Sequence, residues 1–261
     1  MQRHDVGALR YYSFKLFDDY KIVHGIFTRR GGVSAPPWSS LNLGGTVGDD
    51  RDNVIENRKR IFEVFDRPVA SIYDSWQVHG TEVICTREPR PLDGLHQKAD
   101  AILSDSPDIT LFMRFADCVP IFLYDPTKKV GGVVHAGWRG TVDGVAAEAV
   151  KTMKANYGSR PEEILAGIGP SICVDHYEIG KDPSLVSRIK DVFNHHASQV
   201  LKNVNGSTHF NLQQANQIVL EAVGVRQVEQ AGLCTYGQMD EWYSHRAEHG
   251  KTGRFGALLV P

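Results

Sequence analysis

Cysteine is scarce in this chain of 261 residues: Cys85, Cys118, Cys173 and Cys234 stand far apart, with no C-x-x-C pair among them. That spacing excludes a small disulfide-stapled framework and points to a reduced protein. Long apolar runs are lacking as well, since none approaches the roughly 20 residues a membrane-spanning helix needs. The opening MQRHDVGALRYYSF has neither the apolar stretch nor the small-residue cleavage site of a secretory signal, so a cytoplasmic protein is expected. No charge of one sign dominates. A formal net charge of −2 provides no general footprint for nucleic acid or an anionic membrane, and neither is expected as a partner. No fixed-period repeat, low-complexity tract or long Gly/Ser/Pro linker divides the sequence, so residues 1–261 read as one domain.

Several catalytic signatures are missing too. There is no H-E-x-x-H, no H-x-H pair, and no H-x-E with P-C-x-x-C of the familiar zinc deaminases. His249-Gly-Lys-Thr imitates the end of a P-loop, but His245 stands where the first glycine belongs and no strand–helix context surrounds it. Asn205-Gly-Ser207 has only the form of a glycosylation sequon.

What is present alternates between strand and helix patterns, which makes the fold class α/β. Ile22–Leu43 reads as a short strand followed by the loop TRRGGVSAPPWSSLNLGG, whose glycines and prolines forbid long regular structure. From Asp50 the pattern is helical, with Val54, Arg58, Ile61, Phe62 and Phe65 on one face. Arg58 on that face has two readings, a stem packed on the core or a ligand contact. Ile72–Cys85 reads as strand with a turn at His79-Gly80. Thr110–Asp125 and Val130–Ala136 are apolar runs joined by Pro-Thr-Lys-Lys. Thr141 is expected to cap a helix that Gly158 stops. Glu163–Ile168 is a further strand, 184–201 and 212–223 are amphipathic helices, and FGALLV ends the chain as a strand.

The segment FADCVPIFLYDPTKKVGGVVHAGWRGT carries the chemistry. A hairpin turning about Pro126-Thr127 sets Asp125 opposite Lys128, Tyr124 opposite Lys129 and Cys118 opposite His135. Directly opposed residues have β-carbons about 4.5–5.5 Å apart. That separation lets a thiolate and an imidazole share a metal ion or form a Cys–His catalytic pair. A bulge among the lysines or glycines shifts this register by one. One Cys and two His around zinc, with the fourth position open, is a catalytic arrangement, and His79 before Gly80 is the candidate third ligand. The competing reading of each residue alone is structural, Cys118 as a small buried hydrophobe and the histidines as satisfied polar groups. Arg139, at the turn into the helix after His135, is a candidate anion ligand beside the metal or else a surface ion-pair partner.

At these residues the sequence resembles the YfiH-like multicopper polyphenol oxidase ("laccase domain") family, whose members are regarded as purine nucleoside phosphorylases. FTRRGGVS with SLNLG at 27–44, VGDDRDNVIENR at 47–58, QVHG at 77–80, ADCVPIFLYD at 116–125, VVHAGWRGT at 133–141, and GIGPSI with YEIG carry the resemblance. It implies a layered α/β/β/α fold with mixed sheets, related to a Cys–His toxin catalytic domain. It also implies zinc on His79, Cys118 and His135. Asn42, Arg58, Asp117 and Arg139 are implied to line the pocket, with Arg29 or Arg30 contributing. The implied activity is phosphorolysis of adenosine, inosine, guanosine and methylthioadenosine to free base and pentose 1-phosphate, with hydrolytic deamination of adenosine. Purine nucleoside and phosphate are then the partners, and the expected state is a monomer or weak homo-oligomer. The chain departs from the family at Asp175-His176, where a Cys-Cys pair is common, and at Tyr243-Ser244-His245-Arg246-Ala247, where Ser-Tyr-Arg-Arg is common.

Asp117, beside the thiolate, is a candidate proton donor or acceptor, or a hydrogen-bond acceptor behind the ligands. Three other functions compete. One is a copper-dependent phenol oxidase, copper substituting for zinc by its higher intrinsic affinity; the others are a Cys–His hydrolase and a non-enzymatic metal or nucleoside sensor.

Overall fold

The structure is a computed structural model describing residues 1–261. The chain begins with an antiparallel meander, β1 (Gln2–Val6), β2 (Leu9–Ser13) and β3 (Val23–Phe27), and the irregular Gly- and Pro-rich loop follows. Helix α1 (Arg51–Glu63) starts where expected, because the Asp50 carboxylate accepts a hydrogen bond from the Asp52 amide. Then come β4 (Ile72–Tyr73), β5 (Val83–Cys85), β6 (Ala101–Ser104), β7 (Thr110–Phe115), β8 (Val119–Asp125) and β9 (Val130–Ala136). Helices α2 (Trp138–Asp143) and α3 (Val145–Tyr157) lead to β10 (Leu165–Ile168). The rest is α4 (Pro183–Phe193), α5 (Ala197–Val200), the hairpin β11 (Leu201–Val204) and β12 (Ser207–Phe210), α6 (Leu212–Ala222), β13 (Gln227–Gln230) and β14 (Phe255–Val260).

Two six-stranded mixed sheets result, ordered β1-β2-β3-β14-β7-β4 and β13-β10-β8-β9-β6-β5. The strands at their centres are apolar on both faces, as in sheets covered on both sides. Along β8, Val119, Ile121 and Leu123 pack with residues of α3 and α6, while Phe122 and Tyr124 pack with Met113 and Ala257 of the other sheet. On the outer face of the first sheet, Phe112 and Leu258 meet Ile61 and Phe62 of α1. The layers are therefore α/β/β/α, as the resemblance implied. No helix is long and apolar enough to cross a membrane.

Five sequence expectations need correction, one of them the helix over 184–201, which breaks at Asn194, φ 43°, into α4 and α5. Thr110–Asp125 is not one strand: β7 and β8 belong to different sheets, and the chain crosses between them at Ala116-Asp117-Cys118, where Asp117 has φ 77°. Ile72–Cys85 is likewise divided between the two sheets, with His79 in a left-handed turn at φ 62°. The β8–β9 hairpin pairs Asp125 with Val130 and Pro120 with His135, two residues from the expected register. Its turn has four residues because Asp125 Oδ1 accepts from the amides of Thr127 and Lys128, both at 2.9 Å, and Lys129 takes φ 55°. Finally, α2 starts at Trp138 with Gly137 as its cap, and Gly144 at φ 84° separates it from α3. Thr141 lies inside the helix, its hydroxyl accepting from Asn216 at 2.9 Å.

Candidate metal centre

The corrected register still brings the three expected ligands together. Cys118 lies one residue before β8 and faces Gly137, one residue after β9, so the missing side chain of that glycine leaves room for the sulfur. A β-carbon placed on Gly137 would stand 3.0 Å from Cys118 Sγ and 2.7 Å from His79 Cδ2. His135 projects from the end of β9, and His79 arrives from the left-handed turn. Cys118 Sγ is 3.8 Å from His79 Nε2, and the two imidazole centroids are 4.9 Å apart at 76°. One donor atom from each residue lies within 4.8 Å of the others. His79 is exposed, Cys118 half-buried and His135 buried, so the triad opens to solvent on one side.

Sequence reasoning missed the residue that organises this triad. Asp100, fully buried before β6, accepts from His135 Nδ1 at 2.8 Å, which turns Nε2 of that ring towards the sulfur. The same carboxylate accepts from the amides of Val78, His79 and Gly80 at 3.1, 2.9 and 2.7 Å, and so fixes the His79 turn. A histidine held through its second nitrogen by a carboxylate is the arrangement found behind metal ligands. No local signal in QKADAIL marks Asp100 as different from any other strand-edge aspartate.

The electrostatics agree. Burial opposes charge on His135, but Cys118 and Asp100 outweigh it and raise its pKa to about 9. Burial likewise opposes a Cys118 thiolate, and His135 with His79 bring its pKa down to about 6. Both shifts favour the charged pair of thiolate and imidazolium. With an ion, the thiolate and two neutral imidazoles are the donors zinc takes at about 2.0–2.3 Å, and the observed convergence fits that chemistry.

A cleft of about 1060 Å³ opens over the triad, and Trp76, Trp138, Ile172 and Tyr177 contribute to its wall. Its charge is basic. Arg58, Arg90 and Arg114 surround the buried Asp74 at 3.7, 2.8 and 3.0 Å, while Arg246 and Arg254 lie nearer the C-terminus. Both of the last two guanidinium groups have donors to spare: that of Arg246 is hydrogen-bonded only through Nη1 to Glu178 O, and that of Arg254 only through Nη1 to Thr252 O and Gly253 O. His245 also lines the cleft, so the C-terminal departure from the family pattern falls on its wall.

The remaining expected residues fare differently. Arg58 lines the cleft with its guanidinium over the Phe112 ring at 5.5 Å. Asp117 also lines it, but Oδ1 accepts from Thr235 Oγ1 at 2.6 Å and Oδ2 from the Arg246 amide at 2.7 Å. Asn42 is fully buried outside the cleft and acts at one remove, its Oδ1 accepting from the Arg254 amide at 2.9 Å. Arg139 is exposed and does not line the cleft: with Trp138 turned inward at the start of α2, the next residue points some 100° away. Arg29 pairs with Glu248, and Arg30 with Asp240 and Glu241, also away from it.

The same architecture occurs in known proteins. The family model described as multi-copper polyphenol oxidoreductase laccase matches residues 23–260. A purine nucleoside phosphorylase of Deinococcus radiodurans is 36% identical over 238 residues, covering 91% of this chain and 88% of that protein. The purine nucleoside phosphorylase YlmD of Bacillus subtilis is 33% identical over 247 residues, covering 92% and 88%. The crystal structure of YlmD from Geobacillus stearothermophilus superposes with a TM-score of 0.91 at 28% identity, covering 98% of this chain and 97% of that one. Matched along nearly its whole length in both sequence and structure, the chain belongs to the laccase-domain family of YfiH and YlmD.

Proposed function

We propose that this protein is a zinc-dependent purine nucleoside phosphorylase that also deaminates adenosine. The observation that carries the reading is the convergence of His79, Cys118 and His135 beneath an arginine-lined cleft with room for a nucleoside and phosphate together. Adenosine, inosine, guanosine and methylthioadenosine are the proposed nucleosides, each giving free base and pentose 1-phosphate.

In phosphorolysis a phosphate oxygen forms a bond to C1′ as the bond from C1′ to the purine breaks. The electron pair leaves with the base while the sugar gains oxocarbenium character. Arg246 and Arg254 hold the phosphate, because both line the cleft and keep guanidinium N–H groups unengaged, which match its charge and geometry. Arg58 adds to the positive field, and Trp76, Trp138 and Tyr177 offer flat surfaces to the base. Asp117 is a positioning residue, since both its oxygens already accept hydrogen bonds and one of them fixes the Arg246 backbone. Zinc, held by His79, Cys118 and His135, would supply Lewis-acid polarisation and, for deamination, activation of water near neutral pH.

The test is product analysis of zinc-replete protein fed adenosine or inosine, with and without phosphate. Adenine or hypoxanthine with ribose 1-phosphate should form only when phosphate is present, and inosine should form from adenosine without it. Free base released at the same rate without phosphate would defeat phosphorolysis. Arg254→Ala should raise KM for phosphate roughly 10- to 100-fold, the loss of one or two charge-assisted hydrogen bonds.

One feature favours a second reading, a Cys–His hydrolase: Cys118 and His135 converge, and each shifts the other towards thiolate and imidazolium. Covalent capture of Cys118 by substrate in zinc-free protein would support that alternative.

A further inference from the structure

We propose that Cys173, His176 and Cys234 form a second zinc site, a structural clip that joins two loops behind the cleft wall. It is independent of the first centre, sharing no ligand with it, and none of its three residues lines the cleft.

The geometry is that of a metal cluster. Cys173 Sγ is 3.2 Å and Cys234 Sγ 3.4 Å from the same nitrogen, His176 Nδ1, and the three donor atoms all lie within 4.8 Å of one another. Zinc–sulfur bonds of about 2.3 Å and a zinc–nitrogen bond of about 2.0 Å at a tetrahedral angle bring sulfur and nitrogen to about 3.5 Å, close to both distances. Two thiols and an imidazole are soft to borderline donors, a set that selects zinc over magnesium or calcium. Both cysteines are free, and all three residues are half-buried, which leaves a path for the ion.

The surroundings hold the donors in place before any ion arrives. The His176 ring stacks on Tyr236 at 4.4 Å and 16°, which fixes its plane. The amides of Cys173 and Gly237 donate to Cys234 Sγ at 3.3 and 3.4 Å, the kind of support that metal-bound ligands receive from outside. The loops are already in register: Ser171 and Cys234 form a parallel bridge, with Ser171 N–H donating to Leu233 O and Thr235 N–H to Ser171 O.

The position gives the clip its purpose. Tyr177, next to His176, lines the cleft, and Thr235, next to Cys234, donates to Asp117 beside Cys118. The Ile172 amide donates to Asp117 O at 3.0 Å. An ion joining residues 173–176 to 234 therefore holds the wall against which Asp117 and Arg246 are placed.

The test uses the full-length Cys85→Ser/Cys118→Ala variant, in which Cys173 and Cys234 are the only thiols, under reducing anaerobic conditions. Cobalt(II) should produce a thiolate-to-cobalt charge-transfer band that saturates at one ion per chain and vanishes on adding zinc. Zinc should raise the melting temperature of this variant. Adding His176→Ala should weaken cobalt binding at least 10- to 100-fold, since even residues behind the ligands are worth that much. No band, saturation at half an ion per chain, or a band without thermal stabilisation by zinc would overturn the clip. Should the variant not fold, the unmutated protein decides: zinc must protect Cys173 and Cys234 from alkylation, and their oxidation to a disulfide in its presence refutes the proposal.

Discussion

At the scale of single residues, Asp100 decides whether the three ligands point at one another. Its carboxylate collects one imidazole N–H and three amide N–H groups, and although burial opposes its charge, these donors keep its pKa below the ordinary carboxylate value. Asp100→Asn replaces one acceptor oxygen by an amide NH2, which would face other donors. The His79 turn, with its positive φ, then loses what holds it, and His135 loses the partner that fixes its tautomer. Zinc affinity measured by competition with a chelator should fall roughly 10- to 100-fold. An unchanged affinity would show that the triad is organised without Asp100. The contrast in legibility is physical. His79, Cys118 and His135 stand in blocks of unusual composition, whereas a carboxylate that accepts from a turn 20 residues away leaves no periodicity behind it.

At the scale of elements, the hairpin shows what a hydropathy pattern can and cannot fix. The apolar runs gave β9 its bounds and β8 its end, and the two-residue error in register kept every side chain on its proper face, because strand periodicity is two. The turn length was hidden because it depends on the Asp125 side chain accepting from two amides rather than on hydrophobicity. The change of sheet at Asp117 was hidden too, since both halves of Thr110–Asp125 are equally apolar. That break frees Cys118 from the ladder and sets it against Gly137, which explains the glycine. Gly137 has φ −74° and ψ 178°, a conformation open to any residue, so Gly137→Ala should not strain the backbone. Its new methyl would instead press on Cys118 Sγ and His79 Cδ2. The expected result is a folded protein with an unchanged far-ultraviolet circular dichroism spectrum and less than half of the first-site zinc. Full zinc occupancy would mean that the ligands have room to move aside.

At the scale of the molecule, Asp74 ties the helix layer to the first sheet beside the cleft. Arg58 belongs to α1, Arg114 to β7, and Arg90 and His96 to the segment between β5 and β6; all four converge on this one fully buried carboxylate. Burial by itself would raise its pKa, but the His96 hydrogen bond and the charges of Arg114 and Arg58 hold it far below the ordinary value. A depressed carboxylate contributes stability that is fully present above its unfolded pKa, about 3.9, and that disappears as pH falls towards the folded value. Removing the carboxylate while leaving three arginines should cost about 3–5 kcal/mol near neutrality, as for a broken buried ion pair. Asp74→Ala should therefore unfold at lower urea concentration at pH 7, and its stability should decline less steeply than that of the unmutated protein below about pH 4. Asp100, also depressed, keeps that decline from vanishing. Urea titrations of both proteins at several pH values measure the difference. Parallel curves would mean that the arginines find other counter-ions, and that the cleft keeps its positive field without Asp74 beneath it.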